Sequence, residues 1–399
     1  MYKRISHWGA FALGLIVLTY TLMLSLPSLA NPYKTVHSAA TETSKYYRHI
    51  MFRETPLANY RGIYPIETTT APNMAHYQFD YDASGRVTQI KYQMGQTLIQ
   101  GNEVWDSFIW FAPKVSISYQ QDKEIHSYFD ANDRQVAAHG NVYSAHYTLD
   151  KEGNRTALHF FDKQNQPSLN AWNIHRYEWR RNEGKLYEKR FNLSNEQQPL
   201  RPEFQFYEVE LEYDQKGQLA FMRNLGQQGT PTNNDSGAGI DRITYDQNGN
   251  FIRWQVYDKT GNPVEGNRPM VHLGEHLYDQ NGNKVGLRGF DRYGNRIPFS
   301  WGAFEHTNEY NTLGNQVRSW VTPKNGNVGS IFEREYSEDN SKVRLLKSVN
   351  PKGQLTTSPM LGGAAQVQYF RQQDGSLSHQ LLNADGSPFK QTAANSAGQ

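Results

Sequence analysis

Short runs of alternating apolar and polar residues, each closed by a turn motif, recur along most of this chain. The clearest copy spans 243–256 and reads Ile-Thr-Tyr, then Asp-Gln-Asn-Gly-Asn, then Phe-Ile-Arg-Trp-Gln-Val. Asp and Asn side chains bond back to the local backbone, and Gly supplies the positive φ that a tight loop needs. The pattern therefore predicts a β-hairpin with its turn at 246–250.

A four-residue loop in this hairpin pairs Ile243 with Trp254 and Tyr245 with Ile252. Successive side chains of a strand point to opposite faces, so the pairing separates a buried face from a wet one. The predicted buried face carries Ile243, Tyr245, Ile252, Trp254 and Val256. The predicted wet face carries Arg242, Thr244, Arg253 and Gln255.

The same unit repeats along the chain. Tyr-Asp turn blocks begin at Tyr213, Tyr245 and Tyr278, which are 32 and 33 residues apart, and an earlier block begins at Tyr81. A second turn follows Tyr245 and Tyr278 after 12 residues in each case. A unit with two turns has room for three or four short strands and little helix. The predicted fold is all-β: tandem antiparallel hairpin repeats of about 32 residues that form an extended or closed twisted sheet.

The N-terminus predicts export. Lys3 and Arg4 precede an uncharged, largely apolar run that ends in Ser-Leu-Ala30 before Asn31, the layout of a signal peptide with its cleavage site. The run is nearly long enough to span a bilayer, so an uncleaved anchor is the alternative. We expect a signal peptide over 1–30 and a periplasmic or secreted protein, with the membrane as a partner only if the segment stays uncleaved.

Three further segments complete the predicted organisation. Residues 31–75 lack the repeat signature and are predicted to form an N-terminal cap over the first repeat, with a short helix within 46–53. The repeat domain is predicted over 76–389, and a disordered tail over 390–399.

Composition narrows the function classes. The chain has 41 basic and 39 acidic side chains, and the net charge of +2 leaves no broad basic surface for nucleic acid. The absence of cysteine excludes disulfides, thiolate zinc sites and thiol nucleophiles. With 25 Tyr, 19 Phe and 8 Trp, the apolar surface comes largely from rings, as half-buried strands prefer.

The Tyr-Asp-x-x-Gly blocks resemble the tyrosine-aspartate (YD, or RHS-type) repeats of bacterial secreted and cell-surface proteins. The resemblance covers about 300 residues and implies a spiralling β-sheet shell, an extracytoplasmic location and a binding or scaffold role. The period here is longer than in that family, and the chain has no Asp-Pro-x-Gly core signature. A toxin-cage function is therefore not implied.

The segment His272-Leu-Gly-Glu-His276 matches the H-x-x-E-H pattern of one class of zinc peptidase. That chemistry needs a helix, on which two His one turn apart share a face. Gly274 within the motif and the turn that begins at Tyr278 instead predict a strand, on which Glu275 points away from both histidines. We interpret the motif as a chance match, with the zinc peptidase as the alternative.

A group of histidines lies between residues 126 and 175. A hairpin turn at 151–154 would place His146 opposite His159, and two facing imidazoles could hold zinc or copper. Cross-strand packing is the ordinary explanation, and no third ligand can be named. The remaining members are His126, His139 and His175.

Two other groups of acidic and amide residues each have a structural and a chemical interpretation. The Asp-x-Asn-Gly-Asn loops at 246–250 and 279–283 cluster oxygen atoms as calcium sites do, although turn chemistry explains each residue. The alternating glutamates at 208–212 and 333–335 could serve glycoside hydrolysis, but we interpret them as solvated strand faces.

These observations favour an exported, non-enzymatic β-repeat protein that acts as a binding or interaction scaffold at the bacterial envelope, without a cofactor. A glycan or protein of the envelope is the expected partner, since exposed rings offer stacking surfaces and anchors. The candidate binding residues are Trp172, Trp179, Trp301 and Trp320. The alternative is an envelope hydrolase or metal-dependent enzyme, and its candidate metal ligands are His146, His159, His272 and His276.

Overall fold

The computed structural model of the chain describes residues 43–51, 53–57, 62–99, 112–226, 229–372 and 377–390. The predicted signal segment 1–30, the start of the predicted cap and most of the predicted tail lie outside the described residues. No helix within the described part is long and apolar enough to cross a membrane.

The described residues form β-strands connected by turns, with two short 3₁₀ turns at Ala71–Asn73 and Pro359–Leu361. The strands are β1 Thr43–Ile50, β2 Gly62–Ile66, β3 Ala75–Tyr81, β4 Val87–Met94, β5 Thr97–Leu98, β6 Lys114–Gln120, β7 Lys123–Phe129, β8 Ser144–Leu149, β9 Arg155–Phe161, β10 Arg176–Asn182, β11 Lys185–Phe191 and β12 Glu208–Tyr213. They continue as β13 Leu219–Leu225, β14 Ile240–Tyr245, β15 Phe251–Tyr257, β16 Leu273–Tyr278, β17 Lys284–Phe290, β18 Ala303–Tyr310, β19 Gln316–Pro323, β20 Ile331–Tyr336, β21 Val343–Val349, β22 Gln366–Arg371 and β23 Leu377–Leu382.

All of these strands belong to one antiparallel sheet. β6 pairs with β4, and from β7 onward each strand pairs with the one before it, so this part of the sheet is a continuous series of hairpins. β1 lies between β2 and β3, and among the described strands β5 pairs only with the end of β4. The two outermost strands, β2 and β23, are not paired with each other. The predicted all-β repeat fold is confirmed, and the sheet does not close into a barrel.

Each repeat contains two strands, so the prediction of three or four was wrong. After the second turn, Tyr257 and Pro263 form only an isolated bridge, supported by the hydrogen bond from Val264 N to Val256 O at 3.1 Å. Proline has no backbone N–H to donate, and this removes a ladder hydrogen bond at the point where a third strand would begin. Isolated β-bridges between an aromatic or aliphatic residue and a proline also form at Phe161–Pro167, Leu225–Pro231 and Leu382–Pro388.

The Tyr245 hairpin was predicted in the correct register at one end and in the wrong register at the turn. Ile243 pairs with Trp254 as expected, but a β-bulge next to Tyr245 pairs it with Phe251 instead of Ile252. The bulge puts Phe251 in the core and leaves Ile252 half-buried. An extra residue on one strand of a pair shifts every side chain beyond it to the other face.

The helix predicted within 46–53 was also wrong, because β1 occupies most of that range. Tyr46 pairs with Ile66 of β2 and Tyr47 pairs with Tyr77 of β3. The ring of Tyr47 packs edge-on against Phe79 at 5.1 Å. Cross-strand aromatic pairs stabilise sheets, and here this tertiary packing overrides the local helical pattern.

The sheet coils so that the tips of later hairpins reach its first strands. Tyr64 N in β2 donates to Asn248 O at 2.9 Å, and the Tyr64 hydroxyl donates to Gln280 O at 2.8 Å. Ala75 N, at the start of β3, donates to Leu313 O at 2.7 Å. The N-terminal strands therefore rest against the turns of three successive repeats, which lie about 180 to 240 residues later in the chain.

One face of the sheet forms the core. A large apolar cluster extends from β1 to the start of β18, and a second, smaller cluster contains Phe332, Leu346 and Val367 from β20, β21 and β22. Because connected strands alternate in direction, the first turns of all repeats lie at one end of the strands. The second turns and the connecting loops lie at the other end, which we call the loop end.

Candidate functional site

The Asp-x-Asn-Gly-Asn loops use their oxygen atoms to shape the turns. Asp246 Oδ1 accepts hydrogen bonds from Asn248 N and Asn250 N, each at 2.9 Å. Its Oδ2 accepts from Asn250 Nδ2 at 2.9 Å. Asp279 is engaged in the same way by Asn281 and Asn283. Both carboxylate oxygens therefore already hold local donors, as turn chemistry requires.

The H-x-x-E-H segment lies on β16 and the residue before it, as predicted. The Nδ1 atoms of His272 and His276 lie 2.7 Å and 2.9 Å from the carbonyls of Val256 and Phe251 on the neighbouring strand β15. Glu275 forms an ion pair with Arg253 at 2.8 Å, away from both rings.

Gly274 within this segment has a structural role. It lies opposite Trp254, and a Cβ atom at position 274 would come within 2.0 Å of the Trp254 ring. Glycine in a strand often marks a site where another group approaches closely, and here that group is the fully buried indole of Trp254. The motif is thus explained by packing, and Trp254 occupies the core position predicted for it.

His146 and His159 lie opposite each other on β8 and β9, as the spacing predicted. His146 Nε2 lies 3.2 Å from Ser144 Oγ, and the ring centroid of His159 lies 5.5 Å from that of His175. Burial lowers the pKa of His146 and of His159, so both are neutral near pH 7. Within the described ranges, no three His, Asp or Glu side chains are grouped so that they could hold a metal ion.

Two of the four candidate binding tryptophans lie mainly inside the protein. Trp179 is 5% exposed, and its Nε1 donates to Glu188 at 2.8 Å. Trp172 is half-buried, with its ring centroid 4.5 Å from that of His139 and the Arg201 guanidinium 5.4 Å from its ring centroid.

The other two tryptophans are more accessible. Trp301 is 37% exposed and stacks on Phe299 with a centroid distance of 4.7 Å. Its Nε1 donates to His306 Nε2 at 2.9 Å. Trp320 is half-buried on β19, with the Arg318 guanidinium 5.6 Å from its ring centroid.

The glutamates of β12 are buried, so their interpretation as a solvated face was wrong. Glu208, Glu210 and Glu212 are 5%, 8% and 3% exposed. Each is paired with basic side chains of the neighbouring strands, among them Lys185 and Arg223. These ion pairs leave the carboxylates in structural roles.

A buried ionic network in the core was not anticipated from the sequence. Glu188 is fully buried and accepts hydrogen bonds from Arg53, Arg190 and the Trp179 indole. Beside it, Arg155 bonds to Glu124, whose pKa falls to about 2 because the favourable field of Arg155 and the His126 hydrogen bond exceed the cost of burial. The network links β7, β9, β10 and β11.

The N-terminal segment 53–57 completes this network. Besides the contact of Arg53 with Glu188, Glu54 accepts from the Tyr147 hydroxyl, and Thr55 Oγ1 lies 2.9 Å from the Tyr213 hydroxyl. Arg155 donates to the carbonyls of Thr55 and Pro56 at 3.1 and 3.2 Å. The coiled sheet therefore encloses residues 53–57, where Glu54 and Thr55 are buried.

A shallow depression lies at the loop end beside β15, β16 and β17. It has a volume of about 330 Å³ and is lined in part by Arg253, His272, Glu275 and Arg292. Arg292 forms an ion pair with Glu265 of the neighbouring loop. Paired acidic and basic groups thus surround an opening to solvent.

Exposed large apolar side chains concentrate at the same end. Among the described residues, those with the greatest exposure are Leu193, Tyr207, Met270, Tyr293, Trp301, Met360 and Phe370. All except Phe370 lie in second turns or connecting loops. Tyr293 is 81% exposed and lies next to Arg292 in the turn that borders the depression. The loop carrying Trp301 contacts the loop carrying Met270 through the hydrogen bond from Ser300 N to Pro269 O at 3.0 Å.

No known protein family and no curated protein matches the chain. Among solved structures, a porin-like protein from Bacteroides uniformis is 8% identical, with a TM-score of 0.21 over 76% of this chain and 86% of that one. The Photorhabdus luminescens Tc holotoxin pore is 12% identical, with a TM-score of 0.18 over 83% of this chain and 23% of that one. A Bacillus licheniformis rhamnogalacturonan lyase is 10% identical, with a TM-score of 0.18 over 88% and 74%. Likenesses this weak support no argument about fold or function, and membership of the YD-repeat family stays a prediction.

Proposed function

We propose that this protein is an exported, non-enzymatic β-repeat scaffold that binds a glycan of the cell envelope through its loop end. The observation that carries the proposal is the concentration of exposed large apolar side chains on the second turns and connecting loops. Such residues act as anchors when they lie together on a surface. The apolar segment after Lys3 and Arg4 supports export.

The depression beside Tyr293 favours a glycan over an apolar partner. Arg253 pairs with Glu275, and Arg292 pairs with Glu265, so each guanidinium beside the opening is matched by a carboxylate. Hydroxyl groups of a sugar can donate to the carboxylates and accept from the guanidinium groups. The exposed ring of Tyr293 provides a flat apolar face beside them.

Binding of soluble peptidoglycan fragments and neutral oligosaccharides to the purified protein tests this proposal by titration calorimetry. Tyr293→Ala should weaken binding about fivefold or more, equivalent to about 1 kcal/mol. Phe370→Ala is the matched control, because Phe370 is an exposed aromatic residue on β22, outside the loop end. Absence of binding to every probe, or an equal loss in both variants, would rule out a glycan site at the loop end.

A further inference from the structure

Arg334 on β20 is a buried cation without an acidic partner. It is 8% exposed, and its Nη1 donates to Ser319 Oγ at 3.0 Å. Its Nε is shielded from solvent and has no acceptor among the described residues. No carboxylate of the described chain forms an ion pair with it, although such pairs are numerous elsewhere on the sheet.

Three other buried arginines of this protein, Arg48, Arg155 and Arg190, are compensated. Arg155 pairs with Glu124, and Arg190 pairs with Glu188. Arg48, which lacks a carboxylate, donates to two backbone carbonyls and one side-chain amide oxygen. Arg334 has a single described acceptor, a serine hydroxyl, and this distinguishes it from these three arginines.

The ionisable groups that act on Arg334 are three tyrosines. Tyr336, Tyr310 and Tyr369 are close enough to affect its pKa, but a tyrosine hydroxyl is uncharged near neutral pH. Burial lowers the pKa of Arg334, since transfer of the guanidinium out of water disfavours its charge. An isolated buried charge is costly, and a bound anion would supply the missing counter-charge.

A second unsatisfied donor lies on the next strand. The buried Oγ of Ser348 on β21 has no hydrogen-bond partner among the described residues. Arg334 pairs with Leu346 and Phe332 pairs with Ser348, so Ser348 is the diagonal neighbour of Arg334 on the same face. Diagonal neighbours in a sheet lie roughly 7–8 Å apart, within the reach of an arginine side chain.

Arg334, Ser319 and Ser348 lie where one apolar cluster ends and the next begins. The large cluster ends before this point on β18 and β19, and the small cluster begins at Phe332 and Leu346. Ser319 is 2% exposed and Ser348 is fully buried, so two small polar side chains lie inside the protein beside Arg334. We propose that these three residues form a binding site for a small oxyanion, namely a carboxylate, sulfate or phosphate group.

The free edge of the guanidinium suits such a ligand. Nη1 is occupied by Ser319, so the Nε edge remains available for the two parallel hydrogen bonds that arginine forms with oxyanions. The Ser348 hydroxyl could donate a further bond. This site lies on the core face of β19, β20 and β21 and is independent of the proposed glycan site at the loop end.

Calorimetric titration of the full chain with sodium acetate, sodium sulfate and sodium phosphate, at an ionic strength fixed with sodium chloride, tests the proposal. We expect saturable binding at one site for at least one of the three salts. Acetate alone would identify a carboxylate ligand, whereas sulfate or phosphate would identify a tetrahedral one. Arg334→Met should abolish binding, Arg334→Lys should weaken it at least about tenfold because the planar fork is lost, and Ser348→Ala should weaken it severalfold.

Arg344→Met is the matched control. It removes the same charge from the next strand, where the Arg344 side chain is 63% exposed and pairs with Glu335, and it should leave anion binding unchanged. In chloride buffer, Arg334→Met should melt at or above the temperature of the parent protein, since it removes an uncompensated buried charge. A lower melting temperature, no saturable binding of any of the three anions, or equal binding by Arg334→Met would overturn the proposal.

Discussion

Replacement of Glu188 by glutamine should strongly destabilise the coiled sheet. Glu188 is fully buried and neutralises two guanidinium groups, Arg53 from the N-terminal segment and Arg190 from its own strand. Glutamine keeps the shape and an acceptor for the Trp179 indole but removes the negative charge. Two buried cations would then face each other without compensation.

The expected loss of unfolding free energy is about 3–5 kcal/mol, the usual cost of breaking a buried ion pair by removing one partner. We expect the loss for Glu188→Gln to lie in the upper part of this range. The side chains of Arg190 and Glu188 are fully buried, and that of Arg53 is only 13% exposed. Glu275→Gln is the matched control. It breaks a pair in which Glu275 is 20% and Arg253 is 51% exposed, where the loss should be about 0–1 kcal/mol.

Urea unfolding followed by tryptophan fluorescence measures both variants, since Trp179 contacts the network directly. The midpoint should fall much further for Glu188→Gln than for Glu275→Gln, at a similar slope. Adding Arg53→Met to Glu188→Gln should recover part of the loss, because one uncompensated cation is removed. A loss for Glu188→Gln within about 1 kcal/mol of the control would refute the reasoning that the buried network is held together by charge.

Three further predictions concern other parts of the chain. Burial lowers the pKa of His306 from 6.5 to about 4. The neutral imidazole therefore contributes fully to the unfolding free energy above pH 6.5, and this contribution is lost as pH falls toward 4. His306 alone should account for about 3 kcal/mol of the fall in unfolding free energy over this interval, and His306→Asn, measured by urea unfolding at pH 7 and pH 4, should show a fall smaller by about that amount. Gly261→Ala should cost about 1 kcal/mol or more in thermal unfolding, since Gly261 has a φ of 91°, whereas Gly329→Ala, with open space and ordinary φ, should be neutral or stabilising. N-terminal sequencing of the protein exported from a bacterial host should begin at Asn31, and a start at Met1 would indicate an uncleaved segment.

Local chemistry made the repeats and much of the register predictable. Each turn is specified within five residues by an Asp or Asn and usually a Gly, and these residues act on the backbone next to them, as Asp246 does. The opposition of His146 to His159 followed from the turn position alone. The bulge at Tyr245 was not predictable in this way, because it depends on which of Phe251 and Ile252 fits the core.

Features that depend on distant contacts were missed. The helix expected within 46–53 is a strand because β2 and β3 offer backbone partners on both sides. Alternation predicts a solvent-facing position for the glutamates of β12, but basic side chains of the adjacent strands cover them. Glu188 and Arg53 are separated by 135 residues, and nothing in either local pattern signals that they meet.

Only part of the candidate site could be predicted from the sequence. Composition drew attention to aromatic residues, and of the four candidate tryptophans Trp301 lies at the exposed loop end. Trp179 was a candidate for the same reason, but it is buried because its side chain lies on the core face of β10. Tyr293 was not singled out, although its location in a turn at 291–295 could have suggested exposure.

The central structural claim is that the sheet coils until β2 rests against the hairpin turns of later repeats. Because the chain lacks cysteine, the variant Tyr64→Cys/Asn248→Cys tests this contact without competing thiols. The backbone atoms Tyr64 N and Asn248 O are 2.9 Å apart, so mild oxidation should form an intramolecular disulfide in the monomer, detected by gel mobility and mass spectrometry. The control variant Tyr64→Cys/Lys352→Cys, with its second cysteine in a turn at the loop end, should remain reduced. Failure of the first pair to cross-link, or equal cross-linking of both pairs, would contradict a coiled sheet.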